Sequence, residues 1–359
     1  MHMADALISP AVGGVMWAAT AGVMVHCSRT LRDRFDSLQA PLMGVLAAFI
    51  FAAQMINFTI PGTGSSGHLG GGLILAVLLG PQAAFLAIAS VLTVQALFFA
   101  DGGLLALGCN IFNLGFFPCF IAYPFIYRKL AGDTPTRGRI LAGSLAAAVA
   151  GLQMGAFGVV LETVASGISD LPFSTFVLLM QPIHLAIGVV EGLVTAAVVG
   201  FVASARPEVL DLARGQVALS AHPGGLSLRK VLAGLAAAAV ITGGMLSWFA
   251  SAYPDGLEWS MAGVSGKEEL EAPAGGIHES LARLQEKTAI LPDYGFKAPE
   301  AEKSAEAAAE PAAEKGHEAA PAWPAVEAGT SVSGLVGGAL TLLLAGVVGL
   351  LLKRRARSA

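Results

Sequence analysis

A histidine in second place, His2, can wrap a metal ion in nitrogen. The Met1 α-amino nitrogen and the His2 amide nitrogen close a five-membered chelate ring, and that amide and the His2 Nδ1 close a six-membered one. The three nitrogens share a plane, and a second imidazole completes a square. Square nitrogen ligation suits Ni(II) or Cu(II) and disfavours Mg or Ca. The imidazole that the sequence offers as partner is His68, in the glycine- and serine-rich stretch Asn57–Gly72, NFTIPGTGSSGHLGGG, between two long apolar runs; the same stretch also reads as a plain interhelical turn with a chance histidine.

That stretch also carries two nucleotide-like patterns, and both fail. Gly62, Gly64 and Gly67 fit G-x-G-x-x-G, but a membrane-length apolar run stands where the strand of a soluble βαβ unit is needed. A phosphate loop would require Lys and Ser or Thr where His68 and Leu69 stand. The sequence holds no nucleophile–base pair and no H-E-x-x-H, so an intramembrane enzyme has little support. A second cluster competes for the chemistry. His184 and Glu191 are seven apart, hence two turns along one helix face. Glu162 is another acid in an apolar run, and Asp101 lies at a turn. Intramembrane ionisable groups of this kind form proton or cation paths, or bond one helix to another. On the first of these readings the chain is a secondary, proton-coupled metal transporter. His278 and His317, in an acidic loop, at most capture metal loosely.

The elements that must position these residues are membrane helices. Of 359 residues, 55% are hydrophobic and 13% charged, and mean hydropathy is +0.69, far from a soluble domain of this size. Apolar runs of about 20 residues recur, which predicts an all-α polytopic membrane protein. Nine crossings satisfy the distribution of Arg and Lys: about 10–25, 41–58, 69–79, three more runs ending near 163, then 173–203, 231–251 and 332–352. Basic loops at Arg29–Arg34 and Arg128–Lys129 place the N-terminus and the His68 loop outside and the C-terminus in the cytoplasm. The run from Leu69 is short, which sets His68 below the membrane surface. Residues 211–230 read as a cytoplasmic linker. The stretch from Tyr253 to Thr330 holds fifteen acidic and six basic residues, and its Glu300–Pro324 part reads as disordered or loosely helical. Cys27, Cys109 and Cys119 form no C-x-x-C pair. With no basic n-region at the start, Met1 is expected to be the mature terminus. Gly14, Ala18 and Gly22 form a small-residue ridge on the first helix, suited to internal packing or to a partner helix.

MHMADALISP, FAAQMINF with GTGSSGHLGG, QALFFADGGLLALGCNIFN and PIHLAIGVVEGLVTA together resemble the CbiM/NikM family over about residues 1–210. Members are substrate-capture (S) components of energy-coupling factor (ECF) transporters for cobalt and nickel. Pro254–Ser260, PDGLEWS, and its flanking helices are similar to the small NikN/CbiN accessory subunit, here in one chain with the capture component. The resemblance implies a seven-helix S-component bundle (1–210) and a two-helix module (231–359), in the inner membrane of a bacterium. It also implies a metal held by Met1, His2 and His68, with Asn57, Ser65 and Ser66 as candidates to steady the ligands. The start departs from the commoner family pattern at Met3–Leu7, which spares the ligands. The implied cargo is Ni2+, favoured over Co2+ because fusion to a PDGLE module is similar to the nickel branch. The implied partners are a transmembrane coupling (T) subunit and cytoplasmic ATPase subunits in a bed of lipid, with no nucleic acid. This chain lacks a Walker A lysine and binds no nucleotide itself.

Overall fold

The computed structural model describes residues 2–32, 39–133, 135–215, 227–297 and 323–357. Seven helices build the first part: α1 (Pro10–Arg32), α2 (Gln39–Gln54), α3 (Gly72–Leu79), α4 (Pro81–Phe99), α5 (Leu107–Ala131), α6 (Arg137–Ser166) and α7 (Phe173–Ala205), followed by the short α8 (Pro207–Ala213). The all-α membrane architecture therefore holds. Between α2 and α3 a small antiparallel hairpin forms, β1 (Phe58–Ile60) with β2 (Ser65–Gly67), Phe58 facing Gly67 and Ile60 facing Ser65.

Six helices among the described residues are long and apolar enough to cross a membrane: α1, α4 to α7 and the last helix. Three runs that hydropathy reads as crossings are shorter: α2 has 16 residues, α3 has 8, and the first helix of the second part has 17. At about 1.5 Å per residue α3 rises about 12 Å against a hydrocarbon core of about 30 Å, so it cannot cross alone. Gly80 turns the chain from α3 into α4, and the pair behaves as a dipping helix followed by a full one. The loop ahead of α3 is buried within the protein from Ser65 to Gly72.

Two glycines allow that descent. Gly71 has φ 79°, in the left-handed region where a side chain is strained. A Cβ on Gly72 would lie 2.3 Å from the Leu114 carbonyl oxygen of α5. Helix α5 accommodates the approach with a π-helical stretch from Phe112 to Tyr127 that contains Pro118 and Pro124, residues that cannot donate to an ordinary α ladder. Burial grades across the bundle: 78% of the α4 span is enclosed but only 17% of α1, so α4 is the central post and α1 faces outward.

The second part comprises α9 (Leu228–Gly244), α10 (Gly256–Ser265), α11 (Gly276–Thr288) and α12 (Ala328–Arg357). Residues 253–297 are more structured than their acidic composition implies, because α10 and α11 fold back onto the bundle. Most of the Glu300–Pro324 stretch, with His317, lies outside the described residues. Helices α9 and α12 pack on α2, which explains why so short a helix is buried along most of its length. They meet at Gly243 and Gly334, where a Cβ on Gly334 would sit 2.1 Å from the Gly243 carbonyl oxygen. Phe51 of α2 fills the notch at Gly337. Gly334→Val is therefore expected to wedge α9 from α12 and to lower stability by about 1–3 kcal/mol. Thermal unfolding in detergent would measure this, and an unchanged midpoint would contradict the close packing.

Candidate metal site

The fold brings His2 and His68 together. Their rings stack with centroids 4.9 Å apart and planes 24° apart. His68 is carried by the buried loop between β2 and α3, and that loop is tied on both sides. Glu191 of α7 accepts from the Gly70 N–H at 2.8 Å and from the Gly71 N–H at 3.2 Å. Gln54 of α2 donates to the Gly70 carbonyl at 3.0 Å. His68 Nδ1 lies 3.1 Å from the Leu69 carbonyl, which places its proton there and turns Nε2 inward. Burial above all, and positive charge nearby, hold this imidazole down at about 3, so at neutral pH it is an uncharged donor of a lone pair.

His2 is held by a carboxylate. Its Nδ1 lies 2.7 Å from Asp101 Oδ1, in the turn after α4, while its Nε2 is buried without a hydrogen-bond partner. Burial pushes the Asp101 carboxyl up, but His2 and the Tyr294 hydroxyl outweigh it and bring it to about 2. Tyr294, from the second part, donates to Asp101 Oδ2 and stacks on Phe99, with centroids 5.1 Å apart. Gln95 bonds both the Tyr294 hydroxyl, at 3.3 Å, and Gln54, at 3.1 Å. A continuous polar chain thus runs from Gly70 beside His68 through Gln54, Gln95, Tyr294 and Asp101 to His2. The N-terminal segment is fixed further by Asn110, which accepts from the Met3 N–H at 2.8 Å and donates to its carbonyl at 3.1 Å. Met1 lies outside the described residues.

The second part covers the site from above. Ser66 donates from its backbone to the Pro254 carbonyl at 2.8 Å and from its hydroxyl to the Tyr253 carbonyl at 2.8 Å. Trp259 Nε1 donates to the Thr63 carbonyl at 3.0 Å. These bonds set Asp255 Oδ2 3.9 Å from His68 Nε2. Asp255 also begins α10 as a capping box with Glu258, in which each side chain accepts from the other's backbone N–H. Farther along, Gln285 of α11 donates to the Gly102 carbonyl at 2.7 Å. His278 sits 2.9 Å from the Ile8 carbonyl. This corrects the expectation of a loosely metal-binding His278: the ring is buried and pins the N-terminal segment.

The other sequence candidates divide by role. Ser65 and Ser66 face the second part rather than the imidazoles, and Asn57 offers its carbonyl to the Ser251 N–H at 2.7 Å. Glu162 accepts from Asn113 of α5 at 2.7 Å, the helix-to-helix reading of that acid. Glu191 serves the loop, and His184 Nδ1 lies 2.8 Å from the Met180 carbonyl of its own helix. Asp255, Tyr294, Gln54, Gln95 and Asn110 enter only with the structure. The D-x-x-E spacing of Asp255 and Glu258 is a signal that could have flagged α10. Glu191→Gln is expected to weaken metal binding at this site by about 10-fold or more, because an amide has one acceptor for two N–H groups. Calorimetric titration would measure it, and an unaltered affinity would remove Glu191 from the support of the loop.

Comparison with known proteins follows the same division. The family described as cobalt uptake substrate-specific transmembrane region, CbiM, matches residues 2–209, and the PDGLE domain matches residues 229–354. A fused nickel transport protein NikMN of Rhodobacter capsulatus is 34% identical over 316 residues, 82% of this chain and 88% of that one. A cobalt transport protein CbiM of Sorangium cellulosum is 30% identical over 216 residues, 59% of this chain and 95% of its own length. The crystal structure of a truncated transition metal transporter, 30% identical, covers 56% of this chain and 98% of that one at a TM-score of 0.50. With six membrane-length helices among the described residues and these matches, the chain is a multi-pass membrane protein of the CbiM family that carries a PDGLE domain.

Proposed function

We propose that this chain is the substrate-capture subunit of an ATP-driven, ECF-type importer, with its accessory module fused, and that the cargo is Ni2+ in preference to Co2+. The observation that carries the reading is the stacking of His2 on His68 in a buried pocket, each ring held by its own polar partners. Among the described residues no three His, Cys, Asp or Glu side chains close into a metal cage. On this reading the two further donors of a four-coordinate ion are the backbone nitrogens nearest in sequence, the Met1 amine and the His2 amide. Planar nitrogen ligation favours Ni(II). The named nickel relative that spans both matched regions adds support for that ion.

Loading rearranges His2. An ion bound by both the His2 amide and its ring must use Nδ1, the atom that Asp101 now holds. The ring turns about its χ2 bond, Nδ1 goes to the ion, and Asp101 keeps Tyr294 as its partner. The capture domain on this reading is 1–210, joined by 211–230 to the accessory module 231–359. The His2 side faces outward, the C-terminus lies in the cytoplasm, and the membrane is the bacterial cell membrane. A coupling subunit and ATPases supply the energy, and this chain catalyses no reaction. The proton-coupled reading draws less support, because Glu162, His184 and Glu191 each bond a different structural partner.

Two results are expected. Extending the chain by a residue ahead of Met1 abolishes tight one-to-one nickel binding, as read by calorimetry, since an amide nitrogen replaces the amine; undiminished binding would exclude the N-terminal chelate. Metal uptake into cells requires the coupling and ATPase partners and survives collapse of the proton gradient while ATP is maintained. Uptake by this chain alone, lost with the gradient, would establish the secondary transporter instead.

A further inference from the structure

Beneath the PDGLE segment, next to the two stacked imidazoles, is a cavity with room for about one water-sized occupant. Its walls include Leu114, Leu152 and Ile187, and its polar lining is His68, His184 and Asp255. His184 is 1% exposed, and its Nε2 is buried with no hydrogen-bond partner. A buried imidazole nitrogen without a partner is costly in an apolar bundle and calls for an occupant. The tautomer is already fixed: Nδ1 lies 2.8 Å from the Met180 carbonyl and gives its proton there, leaving the Nε2 lone pair for the cavity. His68 has the same arrangement, with Nδ1 at the Leu69 carbonyl and Nε2 toward Asp255, 3.9 Å away. A backbone carbonyl behind a metal-binding imidazole is the usual support for such a ligand. Gly256 brings the second part close, since a Cβ there would lie 3.2 Å from His184 Cε1.

We infer that the chain holds a second position for a divalent transition-metal ion, formed by His184 Nε2, His68 Nε2 and the Asp255 carboxylate. It rests on the capture reading above and extends it: His68 is shared, so an ion released from the N-terminal chelate passes to His184 without leaving the protein. Two imidazoles and a carboxylate are a borderline donor set, suited to Co(II), Ni(II) or Zn(II) rather than to Mg or Ca. The donors line the cavity without closing on one point. That fits a position of transfer, where binding must be weak enough to leave.

The test uses the full-length chain extended ahead of Met1, so that the amine chelate is removed, with Co(II) as the probe. The expected result is one residual Co(II) per chain, bound more weakly than by the native terminus, with the intense visible bands of a low-symmetry four-coordinate ion. His184→Gln and Asp255→Asn, each in the extended protein, are expected to weaken that residual binding by about 10-fold or more. Asp255→Asn keeps the helix cap and carries the test should His184→Gln fail to fold. An extended protein that binds no Co(II), or binds it equally with and without the two substitutions, overturns the inference and leaves the N-terminal site intact. If the extension leaves binding at its native level and His184→Gln abolishes it, the N-terminal chelate falls and this position stands as the capture site itself.

Discussion

The structure depends on burying a loop of bare backbone inside an apolar bundle. Residues 65–72 descend between α2, α5 and α7 with little side chain to offer, and no water in the membrane core would satisfy their amides. Each buried N–H or carbonyl must then find a partner in protein. Glu191 and Gln54 meet this need at Gly70 and Gly71, and they explain why an acid and an amide sit deep in helices that are otherwise aliphatic. The two oxygens of Glu191 each accept from a backbone donor, and this pairing anchors the loop. His68 is placed by this anchoring, and its low exposure and neutral state follow from the same burial.

The second part belongs to the site rather than to its surroundings. Asp255, Tyr294, His278 and Gln285 reach the His68 loop, the Asp101 turn and the N-terminal segment at four separate points. Two apolar helices on α2 give this arm its footing, and the Gly243–Gly334 contact sets how closely they pack. A chain that fuses the two parts keeps the arm permanently beside the loop, at the high effective concentration that linkage provides. The consequence is that the proposed metal site and the docking of the module share residues, so a substitution in either is felt in the other.

The proposed donors stand out in the sequence because their chemistry is local. A second-position histidine defines two chelate rings by covalent geometry alone, and a histidine between glycines in an apolar chain stands out against its neighbours. Helix positions followed from hydropathy, and the breaks at Gly80–Pro81 and around Asp101 are where turn chemistry puts them. Hydropathy marks the run from Leu69 as short, but the distribution of Arg and Lys asks for an odd number of spans there, and so counts α3 as a crossing. Composition could not reveal α10 and α11, which lie in a polar stretch of acidic balance although one face of each is docked. The links from Gln95 through Tyr294 to Asp101 join positions nearly two hundred residues apart, and only the tertiary fold connects them. His184 stood out as an intramembrane histidine, but its open nitrogen became meaningful only beside the cavity that it faces.

The most direct test of the account is the nickel X-ray absorption spectrum of the loaded, full-length protein with its native terminus. Four nitrogen donors in a plane, two of them imidazoles, are expected, with the strong pre-edge feature that square-planar Ni(II) gives and octahedral Ni(II) lacks. A six-coordinate ion with carboxylate or water oxygen would contradict the claim that His2, His68 and the N-terminal backbone form the capture site.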